Sequence, residues 1–84
     1  MNDNRMFTPA SFEGLKDASE VKAAVQYLAK NEFNFTQQLA IEGLDYDTIQ
    51  AEIKRVWVAL LETCSKFKFS DYIVKSKKII YGIR

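Results

Sequence analysis

Residues 45–67 read DYDTIQAEIKRVWVALLETCSKF, and apolar residues recur in them at helical spacing. Asp45 is placed to cap the first turn, because its carboxylate can accept hydrogen bonds from unpaired backbone N–H groups. With Val58 and Ala59, apolar residues surround almost the whole circumference of the helix at its middle. Such a helix lies at the centre of a core or is shared with another subunit. The pattern predicts a long central helix that ends near Lys66. Its apolar stripe consists of Ile49, Ile53, Val56, Trp57, Leu60, Leu61, Cys64 and Phe67.

A capping box at Asp17 and Glu20 opens another helical pattern earlier in the chain. In such a box the two side chains satisfy backbone N–H groups that the first turn leaves unpaired. The pattern predicts a helix over residues 18–30, which Asn31 can stop. Its inner face consists of Ala18, Val21, Ala24, Val25 and Leu28.

A separate short helix is expected between these two. Asn34 or Thr36 can cap it, since both residue types accept hydrogen bonds at helix starts. The short helix would run through Glu42 and end at Gly43, because glycine adopts the left-handed conformation that stops helices.

The C-terminal segment fits two structures. Residues 72–74 and 79–81 are β-rich triplets around a four-residue lysine-rich loop, which is typical of a β-hairpin. A helix capped by Ser70 also fits, and it would bury Phe69, Tyr72, Ile73, Ile80 and Ile83. We favour the hairpin and predict a mainly α fold, a three-helix core with a C-terminal β-hairpin or fourth helix. The predicted core is Leu15, Val21, Val25, Leu28, Leu39, Ile49, Ile53, Val56, Trp57, Leu60, Leu61, Ile73 and Ile80.

Length and composition are those of one small globular domain. The 84 residues suffice for a single domain, 1–84, of which residues 1–7 are expected to be frayed. Cys64 is the only cysteine, so no internal disulfide can form. The first residues lack the apolar stretch of a signal peptide, and no apolar run is long enough to span a membrane. We expect a cytoplasmic protein with no membrane partner.

The side chains offer little catalytic chemistry. The chain has no histidine, the commonest general base, and one cysteine cannot build a zinc site. Asp45 and Asp47 form a close carboxylate pair, but Ile49 stands where a calcium loop needs its third ligand. Both acids suit the positive end of the central helix instead. We therefore predict no enzymatic activity, no cofactor and no metal.

Charge is divided unevenly along the chain. Residues 1–65 carry six basic and ten acidic side chains, a net of −4, whereas residues 66–84 carry six basic and one acidic, a net of +5. A basic segment indicates a polyanionic partner, or attraction to the acidic part of the protein itself.

Residues 36–49, Thr-Gln-Gln-Leu-Ala-Ile-Glu-Gly-Leu-Asp-Tyr-Asp-Thr-Ile, resemble a helix-turn-helix motif. Such motifs commonly contain Thr-Gln, then Leu-Ala, a glycine at the turn, and Thr-Ile on the recognition helix. With a helix before it and a lysine-tipped hairpin after it, the chain resembles a winged helix-turn-helix domain over residues 18–84. The resemblance implies a DNA-binding module whose second helix enters the major groove and whose wing contacts phosphates.

The resemblance also implies a set of nucleic-acid-binding residues. They are Gln50, Lys54 and Arg55 on the central helix, with Lys75, Lys77 and Lys78 on the wing. Glutamine can bind adenine edges, and lysine or arginine can bind guanine or phosphate. The structural alternative is that these residues form a solvated helix face and a solubilising hairpin tip. The pattern does not distinguish DNA from RNA.

A second function fits the same sequence. The central helix is apolar on more faces than a small monomer can cover, which is typical of a protein-binding adaptor or inhibitor, or of a homodimer. Asp45, Asp47 and Glu52 at the start of that helix would repel phosphates, and they favour this alternative.

Overall fold

The computed structural model describes residues 7–82, and within that range every regular element is helical. A short 3-10 helix covers Pro9–Phe12, and three α-helices follow: α1 (Ala18–Ile41), α2 (Tyr46–Lys66) and α3 (Tyr72–Tyr81). The predicted mainly α class is confirmed. None of the helices between residues 7 and 82 is long and apolar enough to cross a membrane.

Helix α1 is continuous where the sequence predicts two helices and a break. The side chains expected to stop or cap a helix bond back one turn instead: Asn31 Nδ2 donates to the Tyr27 carbonyl at 2.9 Å, and Thr36 Oγ1 to the Glu32 carbonyl at 2.9 Å. Phe35 is fully buried at this point, so the inner stripe runs on without interruption. The prediction of a separate helix was wrong because local polar side chains did not outweigh a continuous buried face.

The turn between α1 and α2 follows its sequence signals. Gly43 has a φ of 90°, and the Leu44 N–H donates to the Leu39 carbonyl at 3.3 Å, which closes a Schellman ending. Asp45 then caps α2, accepting from the Thr48 N–H at 2.8 Å. These interactions fold α1 and α2 into a helical hairpin.

Helix α2 lies at the centre of the core and packs against α1, α3 and the 3-10 helix. Trp57, Leu60, Leu61 and Cys64 on α2 are completely buried. Ten of the predicted core residues are buried: Val21, Val25, Leu28, Leu39, Ile49, Ile53, Val56, Trp57, Leu60 and Leu61. The other predicted core residues differ, because Leu15 and Ile73 are half-buried and Ile80 is exposed.

The C-terminal segment forms a helix, so the favoured hairpin prediction is wrong. Asp71, rather than Ser70, caps it by accepting from the Ile73 N–H at 2.9 Å, and Gly82 ends it with a φ of 72°. A start signal and a stop signal thus bracket residues 72–81. A two-stranded hairpin would be marginal by itself, whereas α3 buries Val74 against the core.

The N-terminal segment joins the core before α1 begins. Phe7 is buried and meets the rings of Tyr27 and Phe35 edge to face, at 5.6 Å and 5.4 Å between centroids. Phe12 in the 3-10 helix is also buried. The prediction of fraying covers residues 1–7, and of these residues 1–6 lie outside the described residues.

Candidate functional site

A polar cluster joins all three helices where they meet, and we call Glu32, Trp57 and Lys77 the Glu32 clasp. One carboxylate oxygen, Glu32 Oε1, accepts from Trp57 Nε1 at 2.5 Å and from Lys77 Nζ at 3.0 Å. The Lys77 ammonium also lies 4.8 Å from the centroid of the Trp57 ring and 5.9 Å from that of Tyr81. Cation–π attraction therefore adds to the ion pair.

The Glu32 clasp is largely shielded from solvent. The side chains of Lys77 and Glu32 are 19% and 33% exposed, and Trp57 is completely buried. Burial, together with the charge of Glu32, raises the pKa of the Tyr81 phenol beside them. Among the described residues, no buried side-chain nitrogen or oxygen atom lacks a hydrogen-bond partner.

The opposite side of α3 is apolar and open to solvent. Tyr72, Ile79 and Ile80 are 75%, 80% and 66% exposed. At about 100° per residue, Tyr72 and Ile79 point about 140–160° away from the buried Val74. Lys75 is exposed at the edge of this side, about 40° from Ile79 and about 60° from Tyr72 around the helix axis. We call Tyr72, Lys75, Ile79 and Ile80 the α3 outer face.

A second exposed surface lies at the turn between α1 and α2. Ile41 and Tyr46 are 85% and 73% exposed, with exposed acidic side chains beside them in the sequence. Hydrogen bonds from the Thr48 side chain and backbone hold the pKa of Asp45 below its ordinary value, so its negative charge persists at neutral pH. We call this surface the acidic corner. It consists of Ile41, Glu42, Asp45, Tyr46 and Asp47.

No protein-family model matches this chain, and no curated protein or solved structure is significantly similar to it.

The structure does not gather the six predicted nucleic-acid-binding residues into one surface. Gln50 and Lys54 are exposed one turn apart on α2, but Arg55 points about 100° away from Lys54. Arg55 also pairs with Glu52 at 2.6 Å.

Two of the three predicted wing lysines, Lys75 and Lys78, lie together on one side of α3, about 60° apart, and Lys77 lies on another side. Lys75 is exposed, Lys78 is half-buried, and Lys77 is turned inward into the Glu32 clasp. Because residues 72–81 are helical, no wing presents all three lysines together. Residues 36–49 do form helix, turn and helix, but the first of these is only the end of α1.

Cys64 has the environment of a core residue, as its place in the apolar stripe of the central helix indicates. Burial raises the pKa of its thiol to about 11, so the reactive thiolate is scarce at neutral pH.

Sequence reasoning missed the Glu32 clasp and the exposure of the α3 outer face. One general signal pointed to the clasp, since a buried tryptophan N–H needs an acceptor. Nothing local identifies that acceptor as Glu32, 25 positions away. The exposure of the α3 outer face could not be predicted because α3 has apolar residues on both sides. Their spacing alone does not show which side is buried.

Proposed function

We propose that this chain is a non-enzymatic protein-binding module that contacts its partner through the α3 outer face. The observation that carries the proposal is the exposure of Tyr72, Ile79 and Ile80 on one short helix. Single exposed apolar residues are ordinary, but several on one face are typical of an interaction surface. The opposite side of the helix is anchored to α1 and α2 by the Glu32 clasp, which supports a preformed surface for a partner.

The composition of the α3 outer face indicates the chemistry of its partner. Tyrosine is among the residue types that contribute most at interfaces, since it offers a large apolar area and a polar tip. Lys75 lies at the edge of the apolar residues, and residues 66–84 have a net charge of +5. A complementary protein surface therefore carries apolar side chains with carboxylates around them.

The basic segment also supports a second candidate, binding to DNA or RNA phosphates. Lys66, Lys68 and Lys75 are exposed and available for this role. The protein-binding proposal is preferred because Lys77 is engaged by Glu32 and Arg55 by Glu52. Acidic residues at the start of α2 would also repel a phosphate backbone.

Photo-crosslinking tests the proposal directly. A benzophenone amino acid is placed at position 79 of the full chain, and a matched chain carries it at position 26, where exposed Gln26 lies on α1. Both are irradiated in extract of the source cells, and the products are identified by mass spectrometry. We expect discrete protein adducts from position 79 and none of them from position 26. Adducts with nucleic acid alone, or equal protein adducts from both positions, would overturn the proposal.

A further inference from the structure

We infer that the partner of the α3 outer face is the acidic corner of a second copy of this chain, so that two copies form a closed two-fold dimer. This inference rests on the proposed function and specifies its partner. Each surface has exposed apolar residues, Tyr72, Ile79 and Ile80 on one and Ile41 and Tyr46 on the other. The two therefore match in apolar character and differ in charge.

The charges on the two surfaces are opposite and segregated in the sequence. The chain has no basic residue between Lys30 and Lys54, while Glu42, Asp45 and Asp47 are exposed around the apolar residues of the acidic corner. Helix α3 carries three lysines and no acidic residue, and one of these lysines, Lys77, is neutralised internally. Opposite potentials steer two such surfaces together and fix their register.

One chain cannot bring its own two surfaces into contact. Lys77 lies over Trp57, so α3 covers the second half of α2. The nearest parts of the acidic corner lie at the other end of α2, where Tyr46 is about 16 Å from Trp57 along the helix axis at 1.5 Å per residue. The α3 outer face also points away from the bundle, so the contact must form between chains.

Two-fold symmetry closes such a contact. Each copy contributes its α3 outer face to one half of the interface and its acidic corner to the other, so every favourable pair occurs twice. A stable dimer buries roughly 800 Å² per subunit, which is about a seventh of the 5745 Å² that this chain exposes. Two separate surfaces on a chain 37 Å long can supply that area.

Sedimentation equilibrium of the purified full chain tests the inference. The wild type is compared with Lys75→Glu, with Asp47→Lys and with the double variant, and Lys22→Glu on the exposed side of α1 is the control. Circular dichroism first establishes that each variant has the helical content of the wild type. We expect a dimer in which each single reversal weakens association about tenfold, because it affects two symmetry-related contacts. The double variant should return to within about threefold of the wild type, because both signs are exchanged.

Two results would overturn the inference. One is a wild type that stays monomeric at every concentration, and the other is a dimer that the reversals weaken no more than Lys22→Glu does. The crosslinking test separates these failures from failure of the proposed function. Adducts from position 79 with a different protein, beside a monomeric wild type, would reject the second copy and keep the protein-binding role. Absence of protein adducts as well would reject both.

Discussion

Glu32 and Lys77 are 45 positions apart in the sequence, and their side chains meet at 3.0 Å between α1 and α3. The same Glu32 oxygen accepts the N–H of the buried Trp57. A single carboxylate therefore satisfies one donor from α2 and one from α3. Its position explains why α3 packs with Lys77 inward and leaves apolar residues in solvent.

Removing this carboxylate should destabilise the fold. We expect Glu32→Ala to lower the free energy of unfolding by about 2 kcal/mol, since it leaves the Trp57 N–H and the Lys77 ammonium without their acceptor. Glu32→Gln should cost about 1 kcal/mol, because an amide oxygen still accepts but carries no charge. Urea denaturation measures both, with Glu13→Ala as an exposed control. Losses no larger than that of the control would show that the clasp contributes nothing to stability.

Truncation of Trp57 should destabilise the fold more than loss of the Glu32 carboxylate does. Trp57 is completely buried at the centre of the core, so Trp57→Ala should lower the free energy of unfolding by roughly 3–5 kcal/mol. Trp57 is also the only tryptophan, and its fluorescence in the wild type reports unfolding directly. The variant is followed by circular dichroism instead. A loss well under about 1 kcal/mol would place the indole outside the core.

The turn between α2 and α3 contains one residue, Lys68, with a strained backbone conformation, and a glycine at this position should relieve the strain. Lys68 adopts a φ of 56°, and the next N–H, of Phe69, donates to the Cys64 carbonyl at 2.9 Å. Glycine has no steric penalty in this conformation, so Lys68→Gly should raise the free energy of unfolding by about 0.5–1 kcal/mol. A stability equal to or below that of the wild type would contradict the left-handed conformation.

Gly43→Ala should have the opposite effect on stability to Lys68→Gly, because it puts a side chain on a residue with positive φ. Gly43 has a φ of 90°, and an added Cβ would meet nothing within 4 Å, so the cost is conformational alone. We expect a loss of about 1 kcal/mol in the free energy of unfolding. An unchanged midpoint in urea denaturation would show that this turn tolerates a side chain.

The helix cap at Asp45 should make stability depend on acid pH. Hydrogen bonds from Thr48 lower the pKa of Asp45 in the folded chain, so the cap stabilises the fold above the unfolded pKa of about 3.9. That contribution is lost as the pH falls through the lower, folded pKa. Asp45→Asn keeps a capping side chain that does not titrate. Between about pH 5 and about pH 2, the variant should therefore lose less stability than the wild type. Equal losses would contradict the lowered pKa.

Local signals in the sequence predicted the ends of α2 and the start of α1. Asp17, Gly43 and Asp45 act within a few residues of their own positions, so their chemistry is readable without the tertiary structure. The sequence also identified α2 as central, because few positions in its middle are polar. The interaction of Glu32 with Lys77 could not be predicted in this way, since it depends on how α3 packs.

The C-terminal segment shows why short apolar segments are ambiguous. Ile79 and Ile80 suit a strand by residue type, and Ile80 also suits a buried helix position by spacing. In the folded chain, the side of α3 that carries Val74 and Lys77 packs against the core. Lys77 contacts both a carboxylate and an aromatic ring there. Ile80 is left exposed as a result, and Lys77 does not share a surface with Lys75 and Lys78.

One side of α3 packs against the core, and we propose that the other side binds a partner. Urea denaturation at low micromolar concentration tests this claim, with the double variant Ile79→Ser and Ile80→Ser beside Val74→Ala. We predict that the double variant changes the free energy of unfolding by no more than about 0.5 kcal/mol, as for exposed positions. Val74→Ala should lower it by about 1–3 kcal/mol, because Val74 is buried. A loss in the double variant as large as that in Val74→Ala would contradict the claim, because the α3 outer face would then be part of the core.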